Sequence, residues 1–301
     1  MLIYHLGALG DFVLTWPLAM ALGRLFAQSR IIYITHAQKG SLAERALRVE
    51  CADVEAGWHQ LFAEKPGVPA AAMKLLEGAH SIVTFLARGE DRWMANVRAI
   101  APDVELIRLD PRPPADYPGH FTDFLVERLG PWSAVQASVI AMLRSVRERG
   151  LTVSRERSNR IVIHPGSGGD HKCWPRERFF ELIERLKSNG HSVRVILGDV
   201  ELERWSADQV AQFRQIADVV TPQSLLDLMA ELSAAAVVLA NDSGPAHLSG
   251  IVGTKTLALF GPGNPTIWRP LGPRVSIIHE DLSALGTEVV YHHLIGLVGD
   301  A

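Results

Sequence analysis

Two loops of this chain concentrate groups that can hold an anion. The first, HPGSGGDHKCWP at 164–175, follows an apolar run and carries three glycines, Ser167 and Lys172. Backbone N–H groups, a hydroxyl and an ammonium in one Gly-rich turn can all point at phosphate oxygens. The second, NDSGPAH at 241–247, follows another apolar run. There Ser243 suits an N-cap, and Pro245 suits the first helical turn, where its missing N–H costs nothing. Open amides at such a helix start, with the helix dipole, predict a phosphate or pyrophosphate cradle with His247 as a neighbouring donor. The plainer readings stay open. The first loop could be a flexible surface turn with a solvated Lys172, and His247 could be structural. The spacing of the first loop is not G-x-x-x-x-G-K-[ST], which argues against a P-loop nucleotidase.

A third stretch, LGALGDFVLTWP at 6–17, follows the first apolar run. Gly7 and Gly10 let the backbone turn tightly and approach a ligand. Asp11 stands where a helix begins, either as a general base or simply as a helix cap. Gly7 and Gly10 are three apart, so the dinucleotide fingerprint G-x-G-x-x-G is not met. A fourth, GDVE at 198–201, ends another apolar run. Its Asp199 or Glu201 could meet ribose hydroxyls or merely favour a helix dipole. Trp174 reads as a packing anchor. The arginines at 144, 147, 149, 155, 157 and 160 read as a solvated strip or as a face toward an anionic acceptor.

These loops need a scaffold, and composition describes one. The chain has 301 residues, 48% apolar and 21% charged, with a net charge of −3. That suits two domains of an ordinary soluble protein and gives no reason to expect nucleic acid as a partner. Two cysteines far apart make neither a metal spacing nor a disulfide framework, which points to a reducing cytoplasm. No signal peptide is expected at the N-terminus, and no apolar run is long enough to span a bilayer.

Short apolar runs alternate with amphipathic stretches, the pattern of an α/β chain with parallel sheets. In the first half, strands are expected at 2–5, 31–35, 81–85 and 104–109. Helices are expected at 11–27, 41–48, 70–77, 91–100, 120–129 and 134–149. Residues 150–160 break the pattern and read as a linker. The alternation restarts with strands at 160–164, 192–197, 218–221, 237–240, 256–260 and 275–278. Helices there are expected at 178–189, 201–212, 225–234 and 246–252, with a last one at 287–298. Two doubly wound halves would face a cleft with their C-terminal strand ends, where α/β proteins bind ligands.

Taken together, LGALGDFVLTWP, HPGSGGDHKCWP, NDSGPAHLSGIVG and FGPGNPTIWRPLG, in this order, resemble glycosyltransferase family 9, the ADP-heptose:lipopolysaccharide heptosyltransferases. The resemblance implies a GT-B fold of two Rossmann-like domains, an acceptor-binding one at 1–155 and a nucleotide-sugar-binding one at 156–301. The last helix could pack back on the first. It implies inverting transfer of a sugar, a heptose, from a nucleoside diphosphate donor such as ADP-heptose to a lipopolysaccharide-core or related glycan. No metal or other cofactor is expected. By this resemblance Asp11 matches the base on the acceptor hydroxyl, and domain closure would bring it to the donor. Lys172 matches the lysine that offsets phosphate charge. Ser167 and Gly168 fall in the phosphate-binding turn, and Asp242, Ser243, Gly244, Pro245, Ala246 and His247 in the pyrophosphate site. Glu201 falls near the ribose-contacting acid. His5 departs from the family, many of whose members carry Arg there. The acceptor would be lipid-linked or an oligosaccharide at the inner-membrane surface, met by a cytoplasmic protein, either free or peripheral to that surface. Two rival readings use the same motifs: a GT-B nucleotide-sugar 2-epimerase, and a nucleotide-sugar-binding protein that needs no base.

Overall fold

The alternating pattern resolves into two parallel sheets in the computed structural model, which describes residues 1–87, 89, 91–151, 153 and 158–299. Residues 155 and 156, where the domain boundary was expected, lie outside the described residues, as do Arg155 and Arg157. The chain forms two compact units. One comprises residues 1–8 and 15–143; the other comprises Leu9–Leu14 and residues 144–301.

The elements run β1 (Leu2–Tyr4), α1 (Leu9–Leu14), α2 (Trp16–Leu25), β2 (Ile32–Thr35), α3 (Ala37–Leu47), β3 (Glu50–Asp53), α4 (Ala70–Glu77), β4 (Ser81–Thr84), α5 (Asp91–Ile100), β5 (Glu105–Arg108), α6 (Phe121–Arg128) and α7 (Ser133–Arg149). They continue β6 (Ile161–His164), α8 (Arg176–Ser188), β7 (Val193–Ile196), α9 (Asp199–Arg204), α10 (Ala207–Ile216), β8 (Asp218–Val220), α11 (Leu225–Ala234), β9 (Val237–Asn241), α12 (Gly244–Ile251), β10 (Lys255–Phe260), α13 (Pro265–Trp268), β11 (Val275–His279) and α14 (Thr287–Gly299).

The first unit has a five-stranded sheet in the order β3-β2-β1-β4-β5, and every pairing is parallel. Its core sets Leu2, Tyr4, Ile32 and Ile34 against Trp58, Trp93 and Val97. β3 escaped the sequence pattern because its residues, Glu-Cys-Ala-Asp, contain no apolar run. It is an edge strand whose exposure runs from partial to full, so burial did not select its side chains. The single helix expected at 11–27 is broken at Thr15. Pro17 opens α2 within its first turn, where proline fits, and prevents α1 from continuing.

The second unit has a six-stranded parallel sheet in the order β11-β10-β9-β6-β7-β8. β6 and β9 pair Ile161 with Val237 and Ile163 with Leu239. Both strands are buried along their length, as strands covered on two faces must be. Phe179, Leu182 and Ile183 of α8 cover one face with Trp174. The expected helix at 201–212 is split. Trp205 leaves the helix in an extended conformation, and Ser206 starts α10 with a capping box to Gln209. α14 buries Val290 and Leu294 in this unit's own core, against the strands and α8.

Leu239 is wholly enclosed at the centre of β9. We predict that Leu239→Ala lowers the unfolding free energy of this unit by roughly 2–5 kcal/mol, as buried large-to-small changes do. Urea titration followed by circular dichroism measures it, and an unchanged midpoint would contradict this account of the core.

Candidate functional site

In the second unit the chain winds outward from β6 through β7 to β8, and from β9 through β10 to β11. The winding therefore reverses between neighbours β6 and β9. At such a switch point the loops after the two strands part and leave room for a ligand. The loops after β6 and β9 are the stretches HPGSGGDHKCWP and NDSGPAH.

Asn241, the last residue of β9, ties them together. Its Nδ2 donates to the carbonyls of Pro165 (2.7 Å) and Gly166 (3.3 Å), and its Oδ1 accepts from the Trp174 N–H at 3.0 Å. Trp174 is enclosed, stacks edge-on against Phe179, and donates its indole N–H to the Leu285 carbonyl at 2.9 Å. It is a packing anchor. The loop between Pro165 and Trp174 is thus pinned at both ends.

The middle of that loop is fastened to Asp242. Ser167 Oγ donates to the Asp242 carbonyl at 2.7 Å, and Lys172 Nζ reaches Asp242 Oδ2 at 2.7 Å. The Asp242 carboxylate is nearly buried, whereas Lys172 is partly exposed. Lys172 therefore presents its ammonium held on one side and open on the other. A Cβ on Gly263 would lie 2.7 Å from Asp242 Oδ2, so the turn after β10 packs its backbone onto the same carboxylate. Gly168 has open space around it, and its carbonyl accepts from Arg204 Nη1 at 3.2 Å. The contribution of Asp242 is to hold Lys172 and Ser167.

α12 starts at Gly244, capped by Ser243 in an extended conformation. The Ala246 and His247 amides both turn back to the Ser243 carbonyl, at 3.1 and 3.3 Å. Pro245 has no N–H. The open donors of this helix start therefore narrow from the whole run 244–247 to Gly244. Ser243 adds another: its hydroxyl is buried, makes no capping bond and has no hydrogen-bond partner. A buried hydroxyl left unused at a helix start calls for an explanation. Ala246 is enclosed, and the ring of His247 lies against Gly10 of α1, which belongs to the same unit.

Glu201 is only 3% exposed. Its Oε2 accepts from the Gly198 N–H at 2.8 Å and lies 3.5 Å from His164 Nε2. Gly166 is required beside it, because a Cβ there would fall 1.7 Å from Glu201 Oε1. Burial alone would raise the Glu201 pKa, but the His164 hydrogen bond and charge and the backbone N–H groups outweigh it and bring the carboxyl below its ordinary value. Glu201 thus braces the β6 and β7 loops against each other. This brace was not legible from an acidic residue at a strand end.

Asp11 lies on α1, half-buried. In the first unit, Lys39 is a buried cation that the sequence pattern did not single out. It donates to the Gly7 carbonyl at 2.6 Å in the loop after β1. Burial and the Lys39 charge push the His5 pKa down to about 3, so this imidazole is neutral. Lys39 falls in the first turn of α3, where a cation opposes the helix dipole. The sequence reading began that helix later and left Lys39 in a loop.

Beside the Lys172 turn a groove of about 780 Å³ is lined by Asp170, His171, Cys173, Gly261, His279 and Asp281, among others. Burial and the nearby Asp170 and Glu201 charges push the Cys173 thiol up to about 11, so it is no nucleophile at neutral pH. Among the described residues, no three His, Cys, Asp or Glu side chains gather as a metal site.

Solved structures identify the class of fold. A glycosyl transferase family 9 protein from Veillonella parvula superposes with a TM-score of 0.74 at 18% identity, covering 100% of this chain and 97% of that one. The Escherichia coli heptosyltransferase WaaC, solved with ADP, gives 0.69 at 15% identity, covering 98% and 99%. Both are GT-B neighbours, built as two Rossmann-like units. The glycosyltransferase family 9 (heptosyltransferase) model matches residues 130–291, more than half of the chain, and the chain belongs to that family. Lipopolysaccharide heptosyltransferase 1 of Pseudomonas aeruginosa is 37% identical over 105 residues, 35% of this chain and 29% of that protein. Lipopolysaccharide heptosyltransferase 3 of Escherichia coli K12 is 26% identical over 113 residues, 36% and 33%. The matched stretches span about a third of the length of these relatives.

The Glu201 brace carries a pH signature. A carboxyl whose pKa is lowered by folding adds stability above its unfolded value, near 4.5, and loses it as pH falls through the folded value. We predict that Glu201→Gln flattens the fall in urea midpoint between pH 6 and about pH 3 relative to wild type. Parallel curves for the two proteins would contradict the brace.

Proposed function

We propose that this protein is an inverting glycosyltransferase that moves a heptose from a nucleoside diphosphate donor, ADP-heptose, to a lipopolysaccharide-core or related glycan. The observation that carries this reading is the group of donors gathered at the β6–β9 switch point. Ser243 Oγ is buried without a partner, beside the α12 start and close in sequence to Asp242, which holds Lys172. Such a set suits a diphosphate, whose oxygens accept from hydroxyl, amide and ammonium together. The names of the relatives and the ADP in the WaaC structure support the choice of donor.

In this reading Asp11 removes the proton from the acceptor hydroxyl as that oxygen attacks the anomeric carbon from the face opposite the diphosphate. The new C–O bond forms while the bond to the leaving phosphate oxygen breaks, and configuration inverts. Charge that gathers on the departing diphosphate is met by the Lys172 ammonium, the Ser243 hydroxyl and the Gly244 N–H. Lys172 supplies the positive charge, so the reaction is proposed to run without a metal. The groove flanking Lys172 gives room for the sugar.

Among the described residues no helix is long and apolar enough to cross a membrane. The proposed acceptor is lipid-linked or an oligosaccharide, reached from the cytoplasm at the inner-membrane surface. Buried Lys39 beside Gly7 offers a cation on the acceptor side.

Calorimetry with ADP and a transfer assay with ADP-heptose test the roles separately. Lys172→Ala and Ser243→Ala are expected to weaken ADP, the former by roughly 10–100-fold, the worth of a charged hydrogen bond. Asp11→Ala is expected to leave ADP affinity near wild type and slow transfer by roughly 10²–10⁴-fold, the range of general-base catalysis. Unchanged ADP affinity in both cradle variants would remove the donor assignment. Parallel loss of binding and transfer in Asp11→Ala would make Asp11 a helix cap.

A further inference from the structure

α1 has six residues, and the second of them is Gly10. Glycine weakens a helix relative to alanine, so its place in so short a helix needs a reason. Space supplies one. A Cβ on Gly10 would lie 2.8 Å from His247 Cδ2 and 3.2 Å from His247 Nε2. The converse contact is equally close: a Cβ on Gly244 would lie 2.8 Å from Leu9 Cβ and 3.0 Å from Leu9 Cδ2. Gly244 and His247 are three residues apart in α12 and so share a face. Each helix thus seats one side chain over the other's glycine, His247 over Gly10 and Leu9 over Gly244.

The two notches sit at meaningful places. Asp11 directly follows Gly10 on α1. Gly244 is the first residue of α12, at the donor cradle. α1 is set in the same compact unit as that cradle, although the strand and helix flanking it in sequence belong to the other unit. His247 is buried, as a spacer must be.

We propose that this reciprocal pair of notches is the positioning device that sets Asp11 against the bound donor. Gly10, Gly244, Leu9 and His247 are its parts, and the His247 ring acts as a spacer of fixed thickness rather than as a phosphate donor. Asp11 is then mounted on the donor-binding unit before the acceptor arrives. The inference rests on the reading of Asp11 as the base.

A double-mutant cycle tests it, with kcat for heptosyl transfer and calorimetric ADP affinity as readouts. Gly10→Ala pushes α1 from α12 while strengthening the helix, so thermal stability should hold. kcat should fall by up to roughly 10²-fold, as sub-ångström to ångström misplacement of a catalytic group does, with ADP affinity near wild type. In a His247→Ala background the added methyl has room, and Gly10→Ala should then change kcat by no more than about twofold. If Gly10→Ala folds poorly, Leu9→Ala reads the second notch without touching the cradle: it should lower kcat with ADP affinity near wild type. A wild-type kcat in Gly10→Ala, or an equal fall in both backgrounds, overturns the proposal. So does an ADP affinity that falls in step with kcat. Asp11→Ala run in parallel separates the two ideas. Retained transfer there removes the base, whereas abolished transfer with an inert Gly10→Ala removes only the notches.

Discussion

The side chain of Asn241 is the constraint on which the second unit's functional end depends. It is fully enclosed, and its two amide hydrogens and its oxygen are all used, on Pro165, Gly166 and Trp174. A buried amide satisfied in this way holds a definite geometry, because any shift leaves a polar group without water or partner. It joins the end of β9 to the loop after β6, the two strands between which the chain reverses. Trp174 can act as an anchor only because its backbone is fixed here. Ser167 and Lys172 lie between the pinned ends, so their reach to Asp242 follows from the same bond set.

Close backbone approach is the second theme of this unit, and glycine permits it for different reasons at different sites. At Gly166 the missing Cβ makes space for the Glu201 carboxylate, which ties the β6 loop to the β7 loop. At Gly10 and Gly244 it lets two helices approach closely enough for each to accept a side chain of the other. In each case the conformational freedom of glycine is beside the point, since none of the three has a positive φ. What matters is volume.

How much of this could be read from the chain depended on whether a signal was local. β6 and β9 were legible because burial on both faces demands apolar runs, which end at His164 in β6 and at Asn241 in β9. β3 was not, because an edge strand of Glu, Cys, Ala and Asp satisfies no burial rule. The composition of the Gly-rich loop at 164–175 and the Ser-Gly-Pro of the α12 start pointed to the proposed anion site. The division of labour inside that site was hidden. Pro245 and the turned-back amides of Ala246 and His247 leave fewer donors than the motif suggests. Glu201, read as a ribose contact or a helix-start charge, is buried and bonded to Gly198 beside His164. Lys39 carried no signal in the sequence and is buried. The packing of Gly10 on His247 joins opposite ends of the chain, so no spacing rule could anticipate it.

The carboxylate of Asp242 beside Lys172 also decides what the site ignores. A solitary lysine next to a helix start would collect any small anion in solution, inorganic phosphate foremost. Here the ammonium already has a partner 2.7 Å away, so charge alone gains a newcomer little. A ligand must bring enough additional contacts to compensate for sharing that lysine. On the proposed donor reading, the ion pair acts as an admission threshold against simple anions, which a larger, many-handed one crosses.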